Sequence, residues 1–242
     1  MPTPQPVALI TGANQGIGLA TARALARDYG YHIFLGSRNP QNGQQAASAL
    51  QLEGLSVEPL TIDITSDESI IRAATEVEEK YGYIDVLINN AGICIDGVVS
   101  DFRTLYQQTF DTNVIGSAAV TEAFIPLLSN SVHLPPRIVF ISSTLGSLSV
   151  RATPGNKWAN TPLSAYRCSK AALNMVCLNY AARLNEMDWK VNACCPGSVA
   201  TNINGYYGKD AERCPPNILR LATLGIDGET GMFSDEEGVV GW

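Results

Sequence analysis

The sequence predicts an α/β protein, a single domain holding a doubly wound parallel sheet of about seven strands with helices on both faces. Two observations carry this. Short β-branched runs alternate with longer helical patterns along most of the 242 residues, and the strand segments read as continuous apolar runs rather than alternating ones. Strands buried on both faces have that character, and regular helices between them imply parallel pairing through right-handed crossovers. A third observation fixes the domain count: no composition break, repeat or low-complexity linker divides residues 1–242.

The elements follow in order. "VALI" (7–10) leads to the helical "IGLATARALARDYG". "YHIFLG" (31–36) precedes "PQNGQQAASALQLEG", and "VEPLTID" (57–63) precedes "SDESIIRAATEVEEKYG". Gly30, Gly54 and Gly82 close these three helices, where a left-handed residue costs little. "DVLINNAG" (85–92) is followed by the helical "TFDTNVIGSAAVTEAFIPLL" and then "RIVFISS" (137–143). A long helix from about Leu163 to Glu186 leads into "KVNACCPG" (190–197), and "GMFS" (231–234) supplies a last strand.

Composition excludes several classes. With 45% hydrophobic and 16% charged residues, the chain builds a sizeable core and is not disordered. A net charge of −7 argues against nucleic acid, which needs a basic surface. No apolar run approaches the ~20 residues that span a bilayer, and "MPTPQPVALITG" has no secretory pattern, so the expected compartment is cytoplasmic and no membrane partner is expected. Six cysteines, at 94, 168, 177, 194, 195 and 214, form no C-x-x-C pair and read as reduced, mostly buried thiols. Cys194 and Cys195, adjacent on a buried strand, point to opposite faces. His32 and His133 show no ligand spacing, so no metal is expected.

"TGANQGIG" (11–18) opens the first crossover. Glycines at 12, 16 and 18 let the backbone turn sharply and approach a pyrophosphate resting on the next helix's N-terminus. The motif follows the first strand and begins a helix, the context that gives it meaning and makes the fold Rossmann-type. An NAD site usually carries an acid ~20 residues further on. Here "LGSRN" places Ser37 and Arg38 there. A carboxylate would repel a 2′-phosphate, whereas a guanidinium binds one and a serine donates to it. NADP(H) is therefore favoured, the alternative for Arg38 being a solvated strand end.

These motifs, with "NNAG" (89–92), Asn113, "ISS" (141–143), "YRCSK" (166–170) and "PGSVAT" (196–201), resemble the short-chain dehydrogenase/reductase family over nearly the whole chain. Within it, "SRNPQNGQQAASALQLEGL" and "GMFSDEEGVVGW" are most similar to NADPH-dependent carbonyl reductases. The resemblance implies a small-molecule carbonyl substrate and four catalytic residues. Tyr166 is the general acid. Lys170, one helical turn on, stabilises its phenolate and bonds the nicotinamide ribose. Ser143 donates to the substrate oxygen, and Asn113 holds a water linking Lys170 to solvent. It further implies cofactor contacts from Gly12, Asn14, Gly16, Ile17, Gly18, Ser37, Arg38, Asp63, Ile64, Asn90, Ala91, Gly92, Pro196, Gly197, Val199 and Thr201. Asp63 would bond the adenine and Thr201 the carboxamide. Asn89 braces the sheet, and Ser142 and Ser169 are structural.

Ser143 and Tyr166 stand 23 positions apart, more than in the family's shortest members. The extra residues lie near "RATPGNKWAN", where monomeric carbonyl reductases carry a larger insertion, so a homo-oligomer and a monomer both stay open. Trp158 in this segment either stacks on a flat substrate or anchors its loop. Residues 201–225 are expected to form the substrate lid, with Tyr206 and Tyr207 lining an aromatic entrance for a bulky or flat ketone or quinone. The alternative function is a protein that binds NADP without redox turnover.

Overall fold

The computed structural model describes residues 4–210 and 214–242. Eight strands form one sheet: β1 (Val7–Ile10), β2 (His32–Ser37), β3 (Val57–Thr61), β4 (Val86–Asn89), β5 (Arg137–Ile141), β6 (Lys190–Cys194), β7 (Phe233–Asp235) and β8 (Gly238–Val239). Their order is β3-β2-β1-β4-β5-β6-β7-β8. The first seven pair in parallel. The two-residue β8, absent from the sequence expectation, is antiparallel to β7. It is too short and polar in flank to leave a periodic signal.

Alternate residues of each strand serve opposite faces, and this divides the core in two. Val7 and Leu9 pack with α3 (Asp67–Lys80), α5 (Ser117–Ser129) and α7 (Ser164–Leu184) on one face. Ala8 and Ile10 pack with α1 (Gly16–Tyr29), α2 (Pro40–Leu52) and α8 (Pro216–Ala222) on the other. Cys195 belongs to the first core and Cys194 to the second, as the period of two requires. All six cysteines are free thiols; Cys177, Cys194 and Cys195 are buried, Cys94 and Cys214 half-buried, and Cys168 exposed.

Local chemistry explains the helix starts. Asn39 caps α2 by accepting from the Asn42 N–H at 2.9 Å, and Ser66 caps α3 by accepting from Ser69. The fourth crossover begins earlier than its apolar pattern, at α4 (Phe102–Phe110), which Asp101 caps. It passes through a π-helical turn, Asp111–Gly116, into α5 without leaving right-handed helical dihedrals. Such π-bulges mark functional sites, and this one carries Asn113.

Two further helices were not expected. One is α6 (Leu148–Ala152), capped by Ser147. The other is α8, within the expected lid, whose Ile218, Leu221 and Ala222 are buried against the sheet. Its apolar spacing serves burial rather than closure. Residues 211–213 of the expected lid lie outside the described residues. Among the described residues, no helix is long and apolar enough to cross a membrane.

Candidate active site

The strand order reverses between β1 and β4, and ligands of open α/β sheets gather beyond the strand carboxyl ends at such a point. A cleft of about 910 Å³ opens there, near the upper end of the ~300–1,000 Å³ usual for ligand pockets.

Its first wall is backbone. The glycine loop after β1 is tied to the end of β4 by Asn90, whose Nδ2 donates to the Thr11 carbonyl at 2.8 Å and to the Gly12 carbonyl at 3.1 Å. The Thr11 hydroxyl accepts from the Asn90 and Ala91 N–H groups, both at 3.0 Å. A Cβ on Gly18 would fall 2.5 Å from Asn90 Nδ2 and 2.8 Å from the Ala13 Cα. That loop can exist only with glycine at position 18. The loop, the N-terminus of α1, whose Gln15 cap makes no side-chain hydrogen bond, and a cleft of this size together fit a dinucleotide pyrophosphate.

Gly12, Asn14, Gly16, Ile17, Gly18, Arg38, Asp63, Ile64, Asn90, Ala91, Gly92, Pro196, Gly197, Val199 and Thr201 all line the cleft. Ser37 does not. It is buried, its hydroxyl donates to the Asn39 carbonyl at 2.9 Å, and its Cβ packs against Gly43, so α2 claims the side chain. Arg38 is exposed at the cleft edge and makes no ion pair among the described residues. Asp63 accepts from the Thr65 N–H and hydroxyl through Oδ1. Asn89 donates to Thr121 at 2.9 Å, bracing β4 against α5.

The second wall carries the side-chain chemistry. Ser143, Tyr166 and Lys170 line the cleft together. Ser143 follows β5 and starts a 3-10 turn, Thr144–Gly146. That turn rests directly on α7: a Cβ on Gly146 would lie 2.6 Å from the Lys170 carbonyl carbon. This contact sets Ser143 against α7, on the same cleft as the Tyr166 phenol. Burial pushes the phenol well above its ordinary range, and the neighbouring Ser143 hydroxyl opposes that rise. Lys170 is 3% exposed, its Nζ donates to the Ile141 carbonyl at 2.8 Å, and it lies 5.6 Å from the Tyr166 ring centroid. Burial lowers its pKa from 10.5 to about 8. Desolvation, more than the lysine charge invoked from the i,i+4 spacing, governs the phenol here.

Asn113 is wholly buried behind this wall. Its Oδ1 accepts from the Ile93 N–H at 2.8 Å, and its Nδ2 donates to the Ile93 carbonyl and to Ser169 Oγ. The side chain is thus committed to protein partners, and the main-chain carbonyl accepts from Ser117 Oγ at 3.3 Å. Ser142 donates to Asn174, and Ser169 to the Tyr166 carbonyl at 2.7 Å, both supporting α7.

The outer rim is looser. Arg167 donates to the Trp158 and Thr161 carbonyls at 2.9 and 3.3 Å, and Arg151 to Ala159 at 3.0 Å. They hold the 153–163 loop so that Trp158 faces the cleft. Residues 198–210 fold back on themselves, with Lys209 N–H to Ser198 carbonyl at 2.8 Å and Ala200 N–H to Lys209 carbonyl at 2.7 Å, and Lys209 pairs with Glu236. This fold turns Tyr206 and Tyr207 outward; they are 72% and 77% exposed and do not line the cleft. The aromatic wall is Trp158 instead. Asp96 and Arg167 were missed by sequence reasoning: Asp96 acts on main-chain groups 69 and 70 residues away, and Arg167 on loop carbonyls 6 and 9 residues back, and neither leaves a periodic pattern.

A doubly wound sheet with a glycine loop at its switch point, facing a serine, tyrosine and lysine across one cleft, defines a dinucleotide-dependent oxidoreductase. Residues 6–212 match the model of the short chain dehydrogenase family, and the chain belongs to that family, NAD(P)-dependent enzymes acting on carbonyl or CH–OH groups. It is 38% identical to the short-chain dehydrogenase anuI of Penicillium roqueforti, covering 98% of each chain. It is 31% identical to carbonyl reductase [NADPH] 1 of Rattus norvegicus, covering all of both. Among solved structures, the NADPH-bound carbonyl reductase from chicken fatty liver superposes with a TM-score of 0.79 at 28% identity, over 98% of this chain and 99% of that one.

Proposed function

We propose that the protein is an NADPH-dependent reductase that delivers hydride to the carbonyl carbon of a ketone, aldehyde or quinone, with Tyr166 as general acid. The observation carrying this reading is that Ser143, Tyr166 and the buried Lys170 line one cleft together, with Lys170 Nζ 5.6 Å from the Tyr166 ring centroid. Burial keeps the phenol protonated at neutral pH, so it is a donor ready for an oxygen that gains negative charge. Ser143 Oγ donates to the same oxygen and stabilises that charge. The protonated Lys170, anchored on Ile141, sits beside the phenol and favours the phenolate left after transfer. A bound reduced nicotinamide supplies the hydride.

Arg38 supports NADPH over NADH. It is exposed on the cleft edge where NAD sites carry an acid, and the rat and chicken relatives are named for NADPH. Asp63 at the adenine end and Thr201 at the carboxamide end complete the assignment. The experiment is consumption of NADPH or NADH by purified protein across quinones, aromatic ketones, ketoesters and aldehydes. Turnover of several compounds with NADPH preferred is the expected result. NADPH binding without turnover of any carbonyl would overturn the reductase reading in favour of a non-redox use of the cofactor.

A further inference from the structure

We propose that Asp96 is a positioning residue for Tyr166: its carboxylate, carried by the loop after β4, caps α7 and fixes the peptide from which the phenol projects. The inference rests on the reductase reading for its kinetic consequence, though not for its structural one.

The first N–H groups of any helix lack intrahelical partners. At most helix starts a Ser, Thr, Asp or Asn at the N-cap satisfies one of them. The N-cap of α7 is Leu163, which makes no side-chain bond. Asp96 supplies the missing acceptors from 69 and 70 positions earlier: Oδ1 takes the Ala165 N–H at 2.9 Å and Oδ2 the Tyr166 N–H at 3.1 Å. Both bonds are charge-assisted, and a carboxylate at a helix N-terminus is favoured by the helix dipole.

These two bonds close a ring. The Tyr166 N–H is held by Asp96 and its carbonyl by Ser169 Oγ. Ser169 accepts from Asn113, and Asn113 grips both main-chain groups of Ile93, three residues before Asp96. The peptide on either side of the catalytic tyrosine is thereby referenced to the end of β4, the strand that also holds the glycine loop. Asp96 sets where the phenol stands relative to the cofactor wall, as well as stabilising a helix end. A displacement of the reacting group by about 1 Å costs up to about 10²-fold in rate.

The test compares Asp96→Ala, Asp96→Asn and Asp101→Ala. Asp101 caps α4 from an exposed position outside the cleft, so its loss removes the same charge and the same kind of cap elsewhere. Asp96→Ala is expected to lower kcat about 10- to 100-fold, with the KM for NADPH within about twofold, while Asp96→Asn, keeping one acceptor, recovers a large part. Asp101→Ala keeps wild-type kcat. In parallel, the ¹³Cζ resonance of Tyr166, assigned by its loss in Tyr166→Phe, is followed through a pH titration. It is expected to move in Asp96→Ala and stay in Asp101→Ala.

A fall in melting temperature for Asp96→Ala equal to that of Asp101→Ala, with kcat and the Tyr166 resonance unmoved, would overturn the proposal and leave Asp96 a plain cap. If wild-type protein turns over no carbonyl, the reductase reading fails by itself. The resonance then decides Asp96: movement upholds the positioning role, and no movement removes it.

Discussion

The two walls of the cleft are built by different means. The cofactor wall consists of strand ends and main-chain groups locked by buried side chains: Asn90 and Thr11 tie the glycine loop to β4, and Gly18 admits no Cβ. The substrate rim consists of two loops held at a few points by long, partly exposed side chains, Arg167 and Arg151 for 153–163 and Lys209 with Glu236 for 198–210. The first arrangement tolerates almost no change because each group has a buried partner. The second has slack, since exposed pairs contribute little each. The contrast teaches where the fold conserves its chemistry and where it adapts to a substrate. Ser143 and Tyr166 sit on the seam, held by α7 on one side and open to the rim on the other.

Changes at the seam should have the largest effect. Tyr166→Phe removes the proton donor while leaving the glycine loop intact, so kcat should fall by about 10²–10⁴-fold with NADPH affinity retained in a fluorescence titration. An equal loss of both would mean that the two walls are not separable.

Next is the edge of the cofactor wall. Arg38→Asp replaces a guanidinium by a carboxylate, and the ratio of kcat/KM for NADPH over NADH should drop by roughly ten- to a hundredfold or more, the worth of a charged hydrogen bond. An unchanged ratio would remove the 2′-phosphate assignment.

The pH dependence is a milder test. Burial lowers the Lys170 pKa to about 8, so the ammonium is present below that value and lost above it. For carbonyl reduction, kcat/KM should hold level below about pH 8 and decline above it. Tyr166, pushed upward by burial, stays protonated across this window and adds no break of its own. A flat profile through pH 9 would show that the lysine charge does not matter to the rate.

The smallest effect belongs to the rim. Arg167→Ala frees the Trp158 and Thr161 carbonyls and should raise the KM for a bulky ketone by roughly 2- to 10-fold, with kcat and the KM for NADPH little changed. A comparable loss in kcat would mean that the rim and the seam move together.

Legibility in the sequence followed the same division. The order of β1 to β7, the glycine loop, Arg38 and the i,i+4 pair of Tyr166 and Lys170 could be read because each is a local pattern with a local physical cause. The contacts of Ser37 could not be read: its hydroxyl is claimed by the Asn39 carbonyl and its Cβ by Gly43, which depends on how α2 lands. The helix within the expected lid was hidden for a related reason. "PPNILRLA" has the composition of an adaptable loop until α8 is seen burying Ile218 and Leu221 against the sheet. The tyrosines at 206 and 207 were assigned to the entrance on composition, and the backward fold of 198–210 turns them out.

The sequence by itself determined the sheet, its two cores and the glycine loop after β1, since hydrophobic period and glycine placement are properties of neighbouring residues; Ser143, Tyr166 and Lys170 were singled out by the family resemblance. Only the tertiary structure decided how those side chains are held. The cap of α7 comes from Asp96, the grip on Asn113 from Ile93, and the anchor of Lys170 from Ile141. Each joins a side chain to a main-chain group dozens of residues away in two cases of the three and twenty in the other. Main-chain donors and acceptors are the same at every residue, so no pattern of side chains reveals which of them will be met.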